Sequence, residues 1–255
     1  MINRSAALVT SIVLLLAGLA GCSSGPLYGM PVDAVTLDGE GTLGLSVPGQ
    51  HIVGLVVYFH GSDQNSNVIN TDRKHTDLFD PLLRAGYAVV SADAEGNGYG
   101  NPASREDYRR LIAAAQQKYI AGPVFFVAES MGALPALALL SEDKDHHVKG
   151  MVGVSPLMGL PPEARTVDYI TRPWGGELPE SADPLEWSPD VFAGRNFLLY
   201  ASKEDTIVPA NASAQEFSNR FGSVANIRVV DCAGGHVASD CYQGGQVYQW
   251  IQSLR

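Results

Sequence analysis

The decisive stretch is Pro123–Leu140, PVFFVAESMGALPALALL. Its first half, Val124 to Ala128, is an apolar run of β-forming residues, and its second half, Met131 to Leu140, carries Ala and Leu at helical spacing. Between them lies Ala128-Glu129-Ser130-Met131-Gly132. A strand that turns into a helix within one or two residues leaves little room at the bend. Ala128 and Gly132, two before and two after Ser130, are small enough to let strand and helix approach. The turning residue is then held at strained backbone angles, and its side chain stands clear at the carboxyl edge of a sheet, a placement that suits a nucleophile. Taken alone, the pentapeptide also fits a buried strand and helix joined by a small-residue turn. The decision falls on whether the chain supplies a base, an acid and an oxyanion hole.

Ala128-Glu129-Ser130-Met131-Gly132 resembles the nucleophile elbow of the α/β-hydrolase family, G-x-S-x-G, with Ala128 in place of the first glycine. The extra methyl is a mild departure where the turn is tight. The resemblance implies a serine nucleophile at Ser130, followed along the chain by an acid and then a histidine.

The chain has 255 residues, which suits one α/β domain or one domain with a small insertion. An apolar content of 45% with 27 glycines fits a packed, turn-rich globule and excludes a disordered chain. A formal net charge of −10 argues against nucleic acid as partner. No zinc-type Cys/His spacing, Walker loop or dinucleotide fingerprint occurs, so neither cofactor nor metal is expected.

Residues 1–21 read as a signal segment outside the fold. Arg4 supplies the positive end, Ala6 to Ala20 is apolar and too short to span a bilayer comfortably, and Leu19-Ala20-Gly21-Cys22 follows. This resembles a bacterial lipoprotein signal, which implies cleavage before Cys22, acylation of that cysteine and a cell-membrane anchor on the extracytoplasmic side. An ordinary secretory signal with an incidental cysteine is the alternative. Residues 22–30 then read as a tether and 31–255 as the hydrolase domain. Cys232 and Cys241 remain, and in an exported chain such a pair is most simply a disulfide, closing a short loop around His236.

Within 31–48 the pattern is that of one or two antiparallel edge strands. Strands are expected at Ile52 to Phe59, Tyr87 to Ala92, Val124 to Ala128, Val148 to Val154, Phe197 to Ala201 and Ile227 to Val230. Helices are expected at Thr76 to Ala85, Ser104 to Ala121 with Ser104 as cap, Met131 to Leu140, Ala210 to Phe221 and Gly244 to Leu254. This alternation gives an α/β fold with a mostly parallel central sheet and helices on both faces. Proline-rich 156–194 breaks the pattern and reads as a short cap-like insertion at the carboxyl edge.

A serine hydroxyl is a poor nucleophile without a base, and the base needs an acceptor to fix its tautomer. His236, in Ala233-Gly234-Gly235-His236 just after the last strand, is the expected base. His146 and His147 lie in a charged cluster at a helix end, His51 precedes a strand, and His75 precedes a helix. Asp205 follows the strand FLLYA and matches the family's D-x-x-V-P pattern, which makes it the expected acid, with Glu204 and Asp231 as rivals. The expected oxyanion donors are the backbone N–H groups of Met131 and Ser62, the latter following His60-Gly61, which matches the family's His-Gly. His60 itself reads as a brace for that loop, and Glu129 is assigned no chemistry. Trp174, Trp187 and Tyr169 read either as an apolar substrate pocket or as residues packing the insertion onto the body.

The resemblance thus spans 52–255 and implies a membrane-anchored serine hydrolase acting on small-molecule or lipid-like esters. A serine peptidase of the same fold, and a non-catalytic binding lipoprotein on this scaffold, are the alternatives.

Overall fold

Six apolar runs form the parallel part of an eight-stranded sheet. The computed structural model describes residues 27–120 and 122–255, so the expected signal segment and Cys22 lie outside the described residues. The strands are β1 (Asp33–Val35), β2 (Thr42–Ser46), β3 (Gly54–Phe59), β4 (Tyr87–Ala92), β5 (Val124–Glu129), β6 (Val148–Val154), β7 (Asn196–Ala201) and β8 (Asn226–Asp231). Their order is β1-β2-β4-β3-β5-β6-β7-β8. From β4 to β8 every pairing is parallel, and β1 and β2 add an antiparallel edge, as the 31–48 pattern predicts.

The helices are α1 (Val68–Thr71), α2 (Arg73–Arg84), α3 (Pro102–Tyr119), α4 (Ala133–Glu142), α5 (Asp168–Thr171), α6 (Ala214–Phe221) and α7 (Gly244–Ser253). Alternate residues of the central strands feed two separate cores, because successive strand side chains point to opposite faces. Leu55, Val57, Phe59, Phe126 and Ala128 pack under α3, α4 and α6. Val56, Tyr58, Phe125, Val127 and Tyr200 pack under α2 and α7. Burial on both faces explains why these strands read as unbroken apolar runs.

Most element ends fall within about two residues of expectation, and three helices differ in how they start. Helix α2 starts at Arg73, because the Asp72 side chain accepts from the backbone N–H groups of Lys74 and His75. Helix α3 starts at Pro102, and its cap is Asn101, whose side chain accepts from Ser104 N–H; Ser104 lies inside the helix. The 210–221 segment divides into a short 3-10 turn and α6. The tether reading needs correction at its end. Tyr28 is buried, its hydroxyl donates to Ile69 O, and Arg73 donates to Leu27 O, so residues 27–30 dock on α1 and α2 and are part of the body.

The 156–194 insertion carries α5 and a series of 3-10 turns. Its Leu160, Ala164, Ile170, Leu178 and Ala182 form a third apolar cluster with Tyr99, Met131 and Leu134 of the body. Cys232 and Cys241 form a disulfide that closes the loop after β8. No described helix is long and apolar enough to cross a membrane.

The strand–helix turn after β5 depends on Gly132. A Cβ there would lie 2.2 Å from Phe59 O and 2.6 Å from His60 O, both backbone atoms that cannot swing aside. Gly132→Ala is expected to cost about 2–3 kcal/mol in a denaturant melt. Gly245→Ala, in α7 where a Cβ meets nothing within 4 Å, should not lower the melt and is expected to raise stability by up to about 1 kcal/mol. Equal midpoints for the two variants would contradict the close approach. Replacing Cys232 and Cys241 by alanine opens a loop of sequence separation 9. That change is expected to lower stability by about 2–3 kcal/mol on the chain-entropy argument, and a maleimide should not react with either sulfur before reduction.

Candidate active site

Four connections leave the carboxyl ends of parallel strands and meet at one rim, the usual place for a site in such sheets. They follow β3, β5, β7 and β8. Ser130 is the first residue after β5 and has φ +48°, a left-handed conformation that only the tight turn imposes on a residue with a Cβ. Ala128 ends the apolar run and pairs with Phe59 and Gly153, so the methyl in place of glycine is accommodated within the sheet. Ser130 is 8% exposed, and its hydroxyl lies in a part-buried hydrogen bond at the rim.

The structure brings Ser130, His236 and Asp205 together across 106 and 31 residues of chain. Ser130 Oγ is 2.8 Å from His236 Nε2, and His236 Nδ1 is 2.7 Å from Asp205 Oδ2. An ionised carboxylate only accepts, so Nδ1 carries the proton and Nε2 is left to accept from the serine hydroxyl. Asp205 is buried, and its other oxygen accepts from Ile207 N–H and Val208 N–H, each at 2.9 Å. Three bonds on one carboxylate fix its plane and therefore the imidazole. The rivals are placed elsewhere. Glu204 is exposed, and Asp231 faces outward in an ion pair with Lys203.

The histidine loop is tied down from several sides. Ser202 Oγ donates to Gly234 O and accepts from Glu204 N–H, joining the aspartate loop to the histidine loop. Gly234 sits at φ +95° and Val237 at φ +47°. Val237 N–H donates to Ser155 Oγ at 3.1 Å, and Lys74 Nζ donates to Val237 O at 3.1 Å.

The two expected oxyanion residues are neighbours. Ser62 Oγ is 3.8 Å from Met131 Sδ and 3.2 Å from Tyr99 Oη. Met131 is the second residue of the 3-10 turn after β5, where a backbone N–H has no partner one turn upstream. Among the described residues, Ser62 N–H makes no hydrogen bond. His60 is buried and bridges Gly61 O at 2.7 Å and Asp93 O at 2.9 Å, which makes it the brace of this loop. Trp174 donates to Tyr99 O and packs on the third cluster, while Trp187 packs on the core under α3, α4 and α6 and its carbonyl accepts from Arg220 of α6, so both hold the insertion on the body. Tyr169 is exposed.

One cluster was not anticipated. Glu129, 1% exposed, accepts from Tyr58 Oη at 2.9 Å, from Tyr242 Oη at 2.5 Å and from Gln64 Nε2. His75 Nε2 lies 2.8 Å from the same carboxylate, and His75 Nδ1 lies 2.7 Å from Asp72. Burial pushes the Glu129 carboxyl up, but the His75 hydrogen bond and charge, with the Tyr242 and Tyr58 hydroxyls, outweigh it and hold it below its ordinary value. Burial and then the Glu129 charge push both tyrosine hydroxyls up, so both stay protonated donors. The signal available in the sequence was a charged residue at the end of a doubly buried strand, which requires partners from elsewhere. Among the described residues, no group of His, Cys, Asp and Glu is placed to hold a metal ion.

The comparisons with known proteins agree with this architecture. The family model described as alpha/beta hydrolase fold matches residues 54–183. No curated protein sequence matches the chain. Among solved structures, the esterase Pf2001 from Pyrococcus furiosus is similar, with a TM-score of 0.64 and 18% identity over 88% of this chain and 93% of that one. Est1E from Butyrivibrio proteoclasticus has a TM-score of 0.63 and 15% identity over 86% of this chain and 96% of that one. A prolyl endopeptidase has a TM-score of 0.63 and 15% identity over 88% of this chain but 39% of its own. At these identities the solved structures establish the fold alone. The family model covers just over half of the sequence, and with the elbow, sheet order and helix placement it leads to one conclusion: the chain belongs to the α/β hydrolase fold family.

Proposed function

We propose that the protein is a serine hydrolase that cleaves carboxylic esters through an acyl-enzyme. The observation that carries this reading is the relay Ser130 Oγ–His236 Nε2–Asp205, at 2.8 Å and 2.7 Å, with Ser130 on a strained turn at the rim. Ser130 Oγ attacks the ester carbonyl while His236 Nε2 takes its proton. The backbone N–H groups of Ser62 and Met131 receive the developing oxyanion. His236 then protonates the leaving alcohol, and a water activated by the same nitrogen releases the acid. Asp205 keeps the imidazole oriented and offsets its charge while it holds the second proton.

A peptide bond is the second substrate class, favoured by the likeness to a prolyl endopeptidase. The match covers 39% of that protein, whereas it covers 93% of the esterase Pf2001. A purely binding role gains nothing from an aligned serine, histidine and aspartate.

The lipoprotein reading of Arg4, Ala6 to Ala20 and Cys22 completes the proposal: the enzyme is held on the extracytoplasmic face of a membrane by acyl chains on Cys22.

The test is a panel of chromogenic esters of rising acyl length beside peptide amides. Wild type should turn over at least one ester faster than any amide. Ser130→Ala should lower kcat by about 10⁴–10⁶-fold and Asp205→Asn by about 10³–10⁴-fold. Turnover equal to Ser130→Ala across the panel would overturn the proposal, and amide cleavage alone would select the peptidase. For the anchor, Cys22→Ser should move the protein from the membrane pellet to the soluble fraction. Unchanged fractionation would contradict lipidation at Cys22.

A further inference from the structure

The proposed reaction leaves Glu129 without a task, although its burial is costly. A buried carboxylate must be fully partnered, and an apolar residue of similar volume often packs there as stably. Here the partners come from four separate places: Tyr58 on β3, Gln64 in the loop after β3, His75 on α2, and Tyr242 before α7.

Three of these partners lead to the reaction centre. Gln64 donates to Glu129 through Nε2, and its Oε1 accepts from Gly61 N–H at 3.0 Å, one residue before the Ser62 donor. A Cβ on Gly61 would lie 2.6 Å from Glu129 Oε1, so this loop rests directly on the carboxylate. Tyr242 adjoins Cys241, whose bridge to Cys232 closes the loop that carries His236. His75 adjoins Lys74, which holds the carbonyl of Val237, the residue after the base. Val237 is β-branched at φ +47°, a conformation that persists only when its surroundings hold it. Glu129 itself is covalently next to Ser130.

We infer that Glu129 is a positioning residue, whose carboxylate draws the oxyanion loop, the nucleophile turn and the histidine loop onto one point and so sets the spacing of Ser62 N–H, Ser130 Oγ and His236 Nε2. Transition-state contacts are sensitive to such spacing, and a displacement of about 1 Å can cost about 10²-fold in rate. The kinetic half of this inference rests on the ester-hydrolase reading, whereas the structural half does not.

The experiment is Glu129→Gln in the full chain, with kcat referred to the sites counted by phosphonate titration, so that misfolded molecules are excluded. The expected result is a fall in kcat per titrated site of about 10–100-fold with KM within about twofold, because the lost alignment acts in the transition state. Amide hydrogen exchange should rise at 61–65 and 233–242 and stay unchanged in α3 and α6, which pack on the opposite face of the sheet. Values of kcat per site within about twofold of wild type, or exchange that rises uniformly along the chain, would overturn the inference. Should Glu129→Gln give no folded protein, Tyr242→Phe decides, since it removes one hydroxyl. The expected outcome is about 3–10-fold lower kcat at constant KM and faster exchange confined to 233–242, and unchanged values of both would overturn it. Should wild type hydrolyse no ester, the proposed activity fails, and the exchange pattern alone still decides the role of Glu129.

Discussion

The rim of this molecule depends on one close approach, that of the peptide at Gly132 to the carbonyls of Phe59 and His60. The contact brings the start of the helical turn after β5 against the end of β3, and three consequences follow. Ser130 is forced to φ +48° with its hydroxyl at the edge of the sheet. Met131 is carried beside Ser62, so that two backbone donors from different strands share one small region. The helix beyond, α4, is directed into the core against β3, β5 and β6, which makes the turn rigid. A hydroxyl on a loop of its own would keep more freedom; here the two central strands fix the place of Ser130.

Around that turn, buried polar groups are joined in chains that run between loops. Asp205 is saturated by His236 and two backbone N–H groups, Ser202 links the aspartate loop to Gly234, and Ser155 links the end of β6 to Val237. The disulfide closes the same loop at its base. Glu129 supports the arrangement from below with a separate set of partners. Each group has at least one partner distant in sequence, so the site and the fold are stabilised by the same bonds, and a low local dielectric strengthens them.

Much of this was legible in the chain because it is local. The strands β4 and β6 coincide with their expected limits, since doubly buried strands leave unbroken apolar runs bounded by turn residues. Ser130, Asp205 and His236 were legible because each follows such a run in a small-residue or D-x-x-V-P setting. What was not legible is long-range. Asn101 competes with Ser104 for the same cap, and the choice is made where Asn101 also donates to Pro173 O of the insertion. The docking of Tyr28 on Ile69 depends on a hydroxyl meeting a carbonyl 41 residues away. His75 read as a residue before a helix, yet it is buried inside α2 because Glu129, 54 residues on, waits for it. Local pattern finds the elements, and pairing between polar groups on different elements becomes visible only in three dimensions.

The central claim is that the Ser130 hydroxyl is activated by His236. Its most direct measurement is covalent modification by a fluorophosphonate, followed by intact mass and peptide mapping of the wild type and of His236→Ala. The geometry predicts one adduct per chain, on Ser130, that forms at least about 100-fold more slowly when the imidazole is removed. An adduct on another residue, or labelling of Ser130 at the same rate without His236, would contradict it.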